Sequence, residues 1–237
     1  MDGQPRVVFF ATQRKKKVCL EMLTMQTQVV ELSSDDEGDD QLHDDDEELT
    51  KWFLRYKEPN AESIQTTGLL TFCEDLGVDP EDLAILVLMW KMQAKSSMQI
   101  TRVEFFHGMH ALNVSSIAKL KQHLPTLKKE LSKPKSFKAV YEYTYGWALE
   151  PGMKGLPKEV ALAYWGLLLP LSKFDLMNDF MAFMQARPGG VSKDLWFQVL
   201  LFISQVSGDF SKYDENGAWS FVLDEFVAEM KKKPKKS

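Results

Sequence analysis

With 237 residues, 44% of them hydrophobic, the chain has apolar material for one sizeable domain or two small ones. Its net charge of −5 is uneven: residues 31–48 carry eleven Asp or Glu and no Lys or Arg, whereas residues 51–230 are nearly neutral, with 19 basic and 21 acidic side chains. That balance gives no argument for nucleic-acid binding, two cysteines make no disulfide framework, and no run approaches the roughly 20 apolar residues that span a bilayer.

The chain opens Met1-Asp2-Gly3-Gln4-Pro5, without the basic start and apolar stretch of a signal peptide, so the expectation is a soluble intracellular protein with no membrane partner. Residues 1–48 read as a disordered arm, because dense like charges repel and leave too little apolar surface to offset chain entropy. The arm holds a basic run, Arg14-Lys15-Lys16-Lys17, and a short β-prone cluster, Val29-Val30-Glu31-Leu32, followed by Ser33-Ser34-Asp35-Asp36-Glu37. That cluster, through Val29, Val30 and Leu32, resembles a SUMO-interaction motif, a peptide that adds a strand to a sheet edge and sets its acidic tail against basic residues.

From residue 49 the periodicity turns helical. Leu49, Trp52, Phe53 and Tyr56 fall on one helix face. Asp79-Pro80-Glu81-Asp82 predicts a helix start with Asp79 at the cap, and Leu83 to Met92 is apolar nearly all round, as in a central helix. Thr101 and Glu104 are spaced as a capping box. Further helices are expected over 115–131, 136–149, 157–168, 173–186, 192–206 and 218–230, punctuated at Pro134, Pro151-Gly152, Pro188-Gly189-Gly190 and Gly208. No sustained alternation indicates a sheet. The fold class expected is all-α: a single domain of about eight to ten helices over 49–230, followed by a basic tail, 231–237. Lys231-Lys232-Lys233-Pro234-Lys235-Lys236 has the composition of a nuclear-localisation signal, so the nucleus is expected, with the cytoplasm as an alternative.

Residues able to do chemistry do not assemble into a set. His107 and His110 are three apart, but no nearby ligands complete a zinc site. Aligning Asp214-Glu215-Asn216-Gly217 with a calcium loop puts Lys212 at its first position and Leu223 at its twelfth, which removes the first ligand and the bidentate glutamate. Cys73, in an apolar stretch, reads as a buried free thiol, and neither it nor Cys19 has a His or Lys close in sequence. Lys119, Lys121, Lys128 and Lys129 read as a solvated helix face. No metal, no cofactor and no catalytic residue is expected.

The last quarter carries Lys193-Asp194-Leu195-Trp196, then Tyr213-Asp214-Glu215-Asn216-Gly217-Ala218-Trp219, then Leu223-Asp224-Glu225-Phe226-Val227. Carboxylates and one small residue recur around aromatics, which suits a surface that receives a basic partner. From spacing alone, Asp194 also reads as a cap or dipole partner of its helix, and Ala218 and Asp224, six apart, do not share a helix face. In order and spacing these motifs resemble the C-terminal region of the defective-in-cullin-neddylation (DCN-like) family. Upstream, Arg55-Tyr56-Lys57, Phe72-Cys73-Glu74-Asp75-Leu76, Leu88-Met89-Trp90-Lys91, Gly108-Met109 and Ala163-Tyr164-Trp165 extend the resemblance over roughly residues 50–230, the potentiating-neddylation domain.

The resemblance implies helix pairs shaped like EF-hands and a non-catalytic co-ligase that binds a cullin and the neddylation conjugating enzyme together, regulating cullin–RING ubiquitin ligases. It implies that Asp194, Ala218 and Asp224 receive the cullin's C-terminal winged-helix domain. A hydrophobic cleft for the acetylated N-terminus of the conjugating enzyme is implied at Leu69, Ile85, Leu88, Met89, Met92, Met98, Ile100, Trp147, Tyr164 and Leu167, although apolar residues at helical spacing are ordinarily core. Ser220, where relatives often have proline, is expected to loosen the entrance to the last helix, and Thr66 and the methionines soften the cleft. The alternative is a helical adaptor without neddylation activity, recruiting a SUMO-modified or other protein.

Overall fold

The computed structural model describes residues 44–169, 175–206 and 210–233; the arm's basic run, Cys19, the SUMO-type motif at Val29, Val30 and Leu32, and the end of the basic tail lie outside them. Among the described residues there are ten α-helices and one two-residue strand pair, as an all-α reading requires. The helices are α1 (Asp44–Tyr56), α2 (Thr66–Leu76), α3 (Leu83–Met92), α4 (Arg102–Leu112), α5 (Ile117–Glu130), α6 (Pro134–Ala148), α7 (Lys158–Leu168), α8 (Met177–Ala186), α9 (Lys193–Gln205) and α10 (Phe221–Lys232). The strands are β1 (Ser63–Ile64) and β2 (Ile100–Thr101). None of these helices is long and apolar enough to cross a membrane. The described residues group into two compact units, one over 44–94 and 98–128 and the other over 95–97 and from 129 to 233, the division falling in the last turn of α5.

The first unit is two helix–loop–helix pairs, α1–α2 and α3–α4, whose loops are joined by β1 and β2 running antiparallel, Ser63 opposite Thr101 and Ile64 opposite Ile100. This is how paired EF-hands share a strand bridge. The apolar stripe of α1 is buried at Leu49, Trp52, Phe53 and Tyr56. It meets Phe72 of α2 and Phe105 of α4 in an aromatic cluster, Trp52 edge-on to Phe105 at 5.1 Å and Tyr56 edge-on to Phe72 at 5.2 Å. Such pairs add about 0.5–1.5 kcal/mol each beyond area burial. Ala84 to Met89 of α3 are all buried, so this helix is enclosed as its composition predicts. Gly108 permits the close approach of α4 to α3, since a Cβ there would lie 2.3 Å from the Met92 Cγ and 3.0 Å from its Cα.

The caps refine the sequence reading. Thr101 and Glu104 make the capping box: the Thr101 hydroxyl accepts the Glu104 N–H at 3.3 Å, and the Glu104 carboxylate accepts the Thr101 N–H at 2.8 Å. The cap of α3, however, is Asp82 and not Asp79. Asp82 accepts the Ala84 N–H at 2.7 Å and, with its other oxygen, Lys128 at 2.7 Å. Asp79 accepts the Glu81 N–H at 2.8 Å and so shapes the turn before it. At the chain's first described helix, Asp46, Glu47 and Glu48 are already helical, which sets their carboxylates near the end that the helix dipole favours.

The second unit holds α6 to α10 around stacked aromatics. Trp196 of α9 lies parallel to Tyr141 of α6 at 4.7 Å and to Trp165 of α7 at 5.4 Å. Every polar atom at this junction has a partner. The Tyr141 hydroxyl donates to the Trp196 carbonyl (2.8 Å) and accepts from the Trp165 indole (2.9 Å), while the Trp196 indole donates to the Tyr141 carbonyl (3.0 Å). The loops before α7 and α9 are joined by reciprocal bonds between Leu156 and Val191, 2.9 and 2.8 Å, which sets the start of α9. Phe180, Phe202 and Phe226 continue the core towards α10.

Candidate functional site

The three residues singled out for a basic partner all lie in the second unit, at the junction of α9 and α10. Ser192 caps α9, its hydroxyl accepting the Leu195 N–H at 3.1 Å, so Asp194 is not the cap. Asp194 stands exposed in the first turn, its carboxylate suited to the helix dipole. One turn on, the Gln198 side chain donates to both Asp194 oxygens, at 3.1 and 3.0 Å.

Each residue of Tyr213–Trp219 that the motif repeats has a task. Asp214 builds the turn, its side chain accepting the Asn216 N–H at 2.9 Å and its carbonyl the Gly217 N–H at 3.1 Å. Gly217 admits the indole of Trp219, whose Nε1 would be 2.9 Å from any Cβ at that position. Trp219 stacks on Tyr213 at 5.9 Å, and both rings meet Phe202 of α9 edge-on. Ala218 is thereby left exposed beside the half-buried Trp219, just before the helix entrance. It lies in the loop, not in a helix as the sequence reading had it, because α10 begins at Phe221.

Ser220 is the N-cap of α10. Its N–H donates to the Gln198 side-chain oxygen at 2.5 Å, and its carbonyl accepts the N–H groups of Leu223 (2.9 Å) and Asp224 (3.2 Å). Asp224 is half-buried, and one of its oxygens accepts the Tyr213 hydroxyl. Burial, and then the Asp224 carboxylate, push that phenol well above its ordinary range, so it remains a donor. At Ser220 the peptide N–H that proline lacks ties α10 to α9, while the serine hydroxyl makes no cap bond and is buried with no partner among the described residues. A continuous run of hydrogen bonds joins Asp194 through Gln198 and Ser220 to Asp224, with Ala218 on its rim.

A family model described as Cullin binding matches residues 119–229, which contain this whole junction. DCN1-like protein 5 of Rattus norvegicus is 36% identical over 177 residues, 74% of each chain. DCN1-like protein 3 of Xenopus tropicalis and of Homo sapiens are each 34% identical over 184 residues, 76% of this chain. The chain belongs to the DCN1-like family. It spans 61% and 60% of the length of those two DCN1-like protein 3 relatives.

The ten cleft residues of this DCN1-like chain divide between its units. In the first, Ile85, Leu88, Met89 and Met92 of α3 and Ile100 of β2 are interior, Leu69 is half-buried and Met98 is exposed. In the second, Trp147, Tyr164 and Leu167 are half-buried, with Trp147 edge-on to Tyr164 at 6.1 Å. The Trp147 indole N–H is buried with no acceptor among the described residues. A cavity of about 310 Å³ beside Arg55, Lys57, Glu58 and Thr71 contains none of the ten. Its polar groups serve the fold: Arg55 and Tyr56 share Asp75, and Glu58 accepts the Gly68 N–H.

Cys73 is buried and free, with burial pushing its thiol up to about 12. His110 pairs with Asp46 at 2.8 Å. Sequence reasoning missed Gln198 and Phe221. Gln198 had a signal, the four-residue spacing from Asp194 that places both on one helix face. Phe221 is 72% exposed at the entrance to α10, and nothing in its sequence distinguished it from a core residue.

Proposed function

We propose that this chain binds a cullin through Asp194, Ala218 and Asp224 and promotes cullin neddylation as a non-catalytic co-ligase. The observation that carries the reading is the bonded run from Asp194 to Asp224 with exposed Ala218 beside it. Two carboxylates held in register attract Lys or Arg of the cullin's winged-helix domain, and the methyl of Ala218 lets the partner's backbone approach. Contacts of this kind set orientation and on-rate as much as affinity.

The conjugating enzyme's acetylated N-terminus is the second partner of this proposal, with the half-buried Trp147, Tyr164 and Leu167 of the second unit as the residues that receive it. Acceleration then comes from holding thioester and acceptor lysine together, a gain in effective concentration, with the bond-making left to the conjugating enzyme. The end of the chain, Lys231–Lys236, serves in this reading as a nuclear address.

Titration calorimetry of the full chain against a cullin winged-helix domain tests it. Binding is expected for the wild type and loss of at least tenfold for Asp194→Asn, Ala218→Arg or Asp224→Asn, each folded by circular dichroism. Equal binding by all three variants removes the assignment. Single-turnover transfer of the ubiquitin-like modifier to the cullin, with and without the chain, tests the co-ligase role.

A further inference from the structure

We propose that Gln198 is a positioning residue for the cullin-binding surface: its amide is a strut that fixes the Asp194 carboxylate relative to the entrance of α10. The inference rests on the reading of Asp194, Ala218 and Asp224 given above. Both ends of the amide are used. Nε2 reaches the two Asp194 oxygens at 3.1 and 3.0 Å, and Oε1 accepts the Ser220 N–H at 2.5 Å. The opposite orientation would set the carbonyl against a carboxylate and the NH2 group against an N–H, so chemistry permits only this one.

An exposed aspartate in a first helical turn otherwise samples several rotamers, and binding must then select one. Here the choice is made beforehand, and by a group that also holds the residue following Trp219. The Asp194 carboxylate is thereby tied to the residue that caps α10, whose carbonyl accepts the Asp224 N–H. An ionised carboxylate has about four lone-pair sites, so the two bonds to Gln198 leave room for an incoming ammonium or guanidinium. Ordering one such side chain in advance corresponds to about three- to tenfold in affinity.

A double-mutant cycle on the full chain decides the matter, with titration against a cullin winged-helix domain and ¹H–¹⁵N spectra as readouts. Gln198→Met keeps the length of the side chain and removes both arms. Expected are about three- to tenfold weaker binding than wild type, a shifted Ser220 amide resonance, and little further loss when Gln198→Met is added to Asp194→Asn. The Gln198 side-chain amide resonances also move in Asp194→Asn, which reports the bond, while the coupling in binding affinity is what a merely structural glutamine would not show. Strictly additive losses, or wild-type affinity for Gln198→Met while Asp194→Asn weakens, overturn the strut and leave the cullin site standing. A silent Asp194→Asn overturns the strut and takes Asp194 out of the site, and the site reading falls with it when Ala218→Arg and Asp224→Asn are silent too. Should Gln198→Met fail to fold, Ser220→Pro carries the test, because the backbone φ of −67° at Ser220 already suits proline. It removes the N–H arm alone, and unchanged affinity with an unchanged Gln198 amide signal counts against the proposal.

Discussion

Tyr213 donates its phenolic hydrogen to Asp224, so a loop residue restrains the carboxylate in the first turn of α10. The ring is held in turn, stacked on Trp219 and set edge-on against Phe202, with the Lys231 ammonium 5.8 Å from its centroid. Position is thus passed from the core to the surface through one hydroxyl.

Tyr213→Phe removes that hydroxyl and little else. Expected is a loss of about 1 kcal/mol in stability, read from the urea midpoint, since hydrogen bonds to charged groups contribute somewhat more than neutral ones but this one is only partly shielded. Binding of the winged-helix domain weakens at the same time, because Asp224 is no longer held.

Alkaline pH gives a second prediction. Burial first, then the bond to Asp75, raise the Tyr56 phenol to about 12, against about 10 in an unfolded chain. Below pH of about 10 both states are protonated and the contribution is complete. As pH rises from about 10 to 12 the unfolded state loses its proton first, so stability falls. Urea titrations across that window are expected to show the decline, and a shallower one in Tyr56→Phe. An unchanged slope in the variant would assign the decline to other tyrosines.

Cys73 is predicted to be inert in the native state. Its thiol is buried and raised to about 12, chiefly by burial, so the thiolate is scarce and sheltered. An aromatic disulfide reagent at neutral pH should label it only in denaturant. Rapid native labelling at Cys73, located by peptide mass, would show that α2 opens readily.

Tyr141→Phe tests the junction of α6, α7 and α9. The change leaves the Trp165 indole N–H buried without its partner, while the Trp196 carbonyl, inside α9, loses only its second donor. A loss of about 1–3 kcal/mol is expected, the cost of one stranded buried group. Equilibrium denaturation followed by tryptophan fluorescence measures it directly.

Local rules carried much of this fold in the sequence. The Thr101–Glu104 capping box, the buried face of α1 and the enclosed α3 each depend on residues within a turn or two of one another, and each is found. Asp79 was a misleading cap because Asp82 offers the same chemistry three residues later, directly before the apolar run. The site was less legible. Asp194, Ala218 and Asp224 fit no single helical period, since they are joined by a side chain on α9 meeting a backbone N–H at α10. Periodicity describes one helix at a time and has no term for such a meeting. The glycine of Tyr213–Trp219 was visible as a motif residue, yet its reason, room for the Trp219 indole, exists only after the turn has closed.

The enclosure of α3 has a consequence for motion. A helix apolar on every side, from Ala84 to Met89, has no face on which water can replace its neighbours, so it cannot loosen by degrees. Its amide hydrogens should exchange with solvent only when the entire first unit comes apart, and their rate becomes a gauge of that unit's stability in isolation from the rest of the chain.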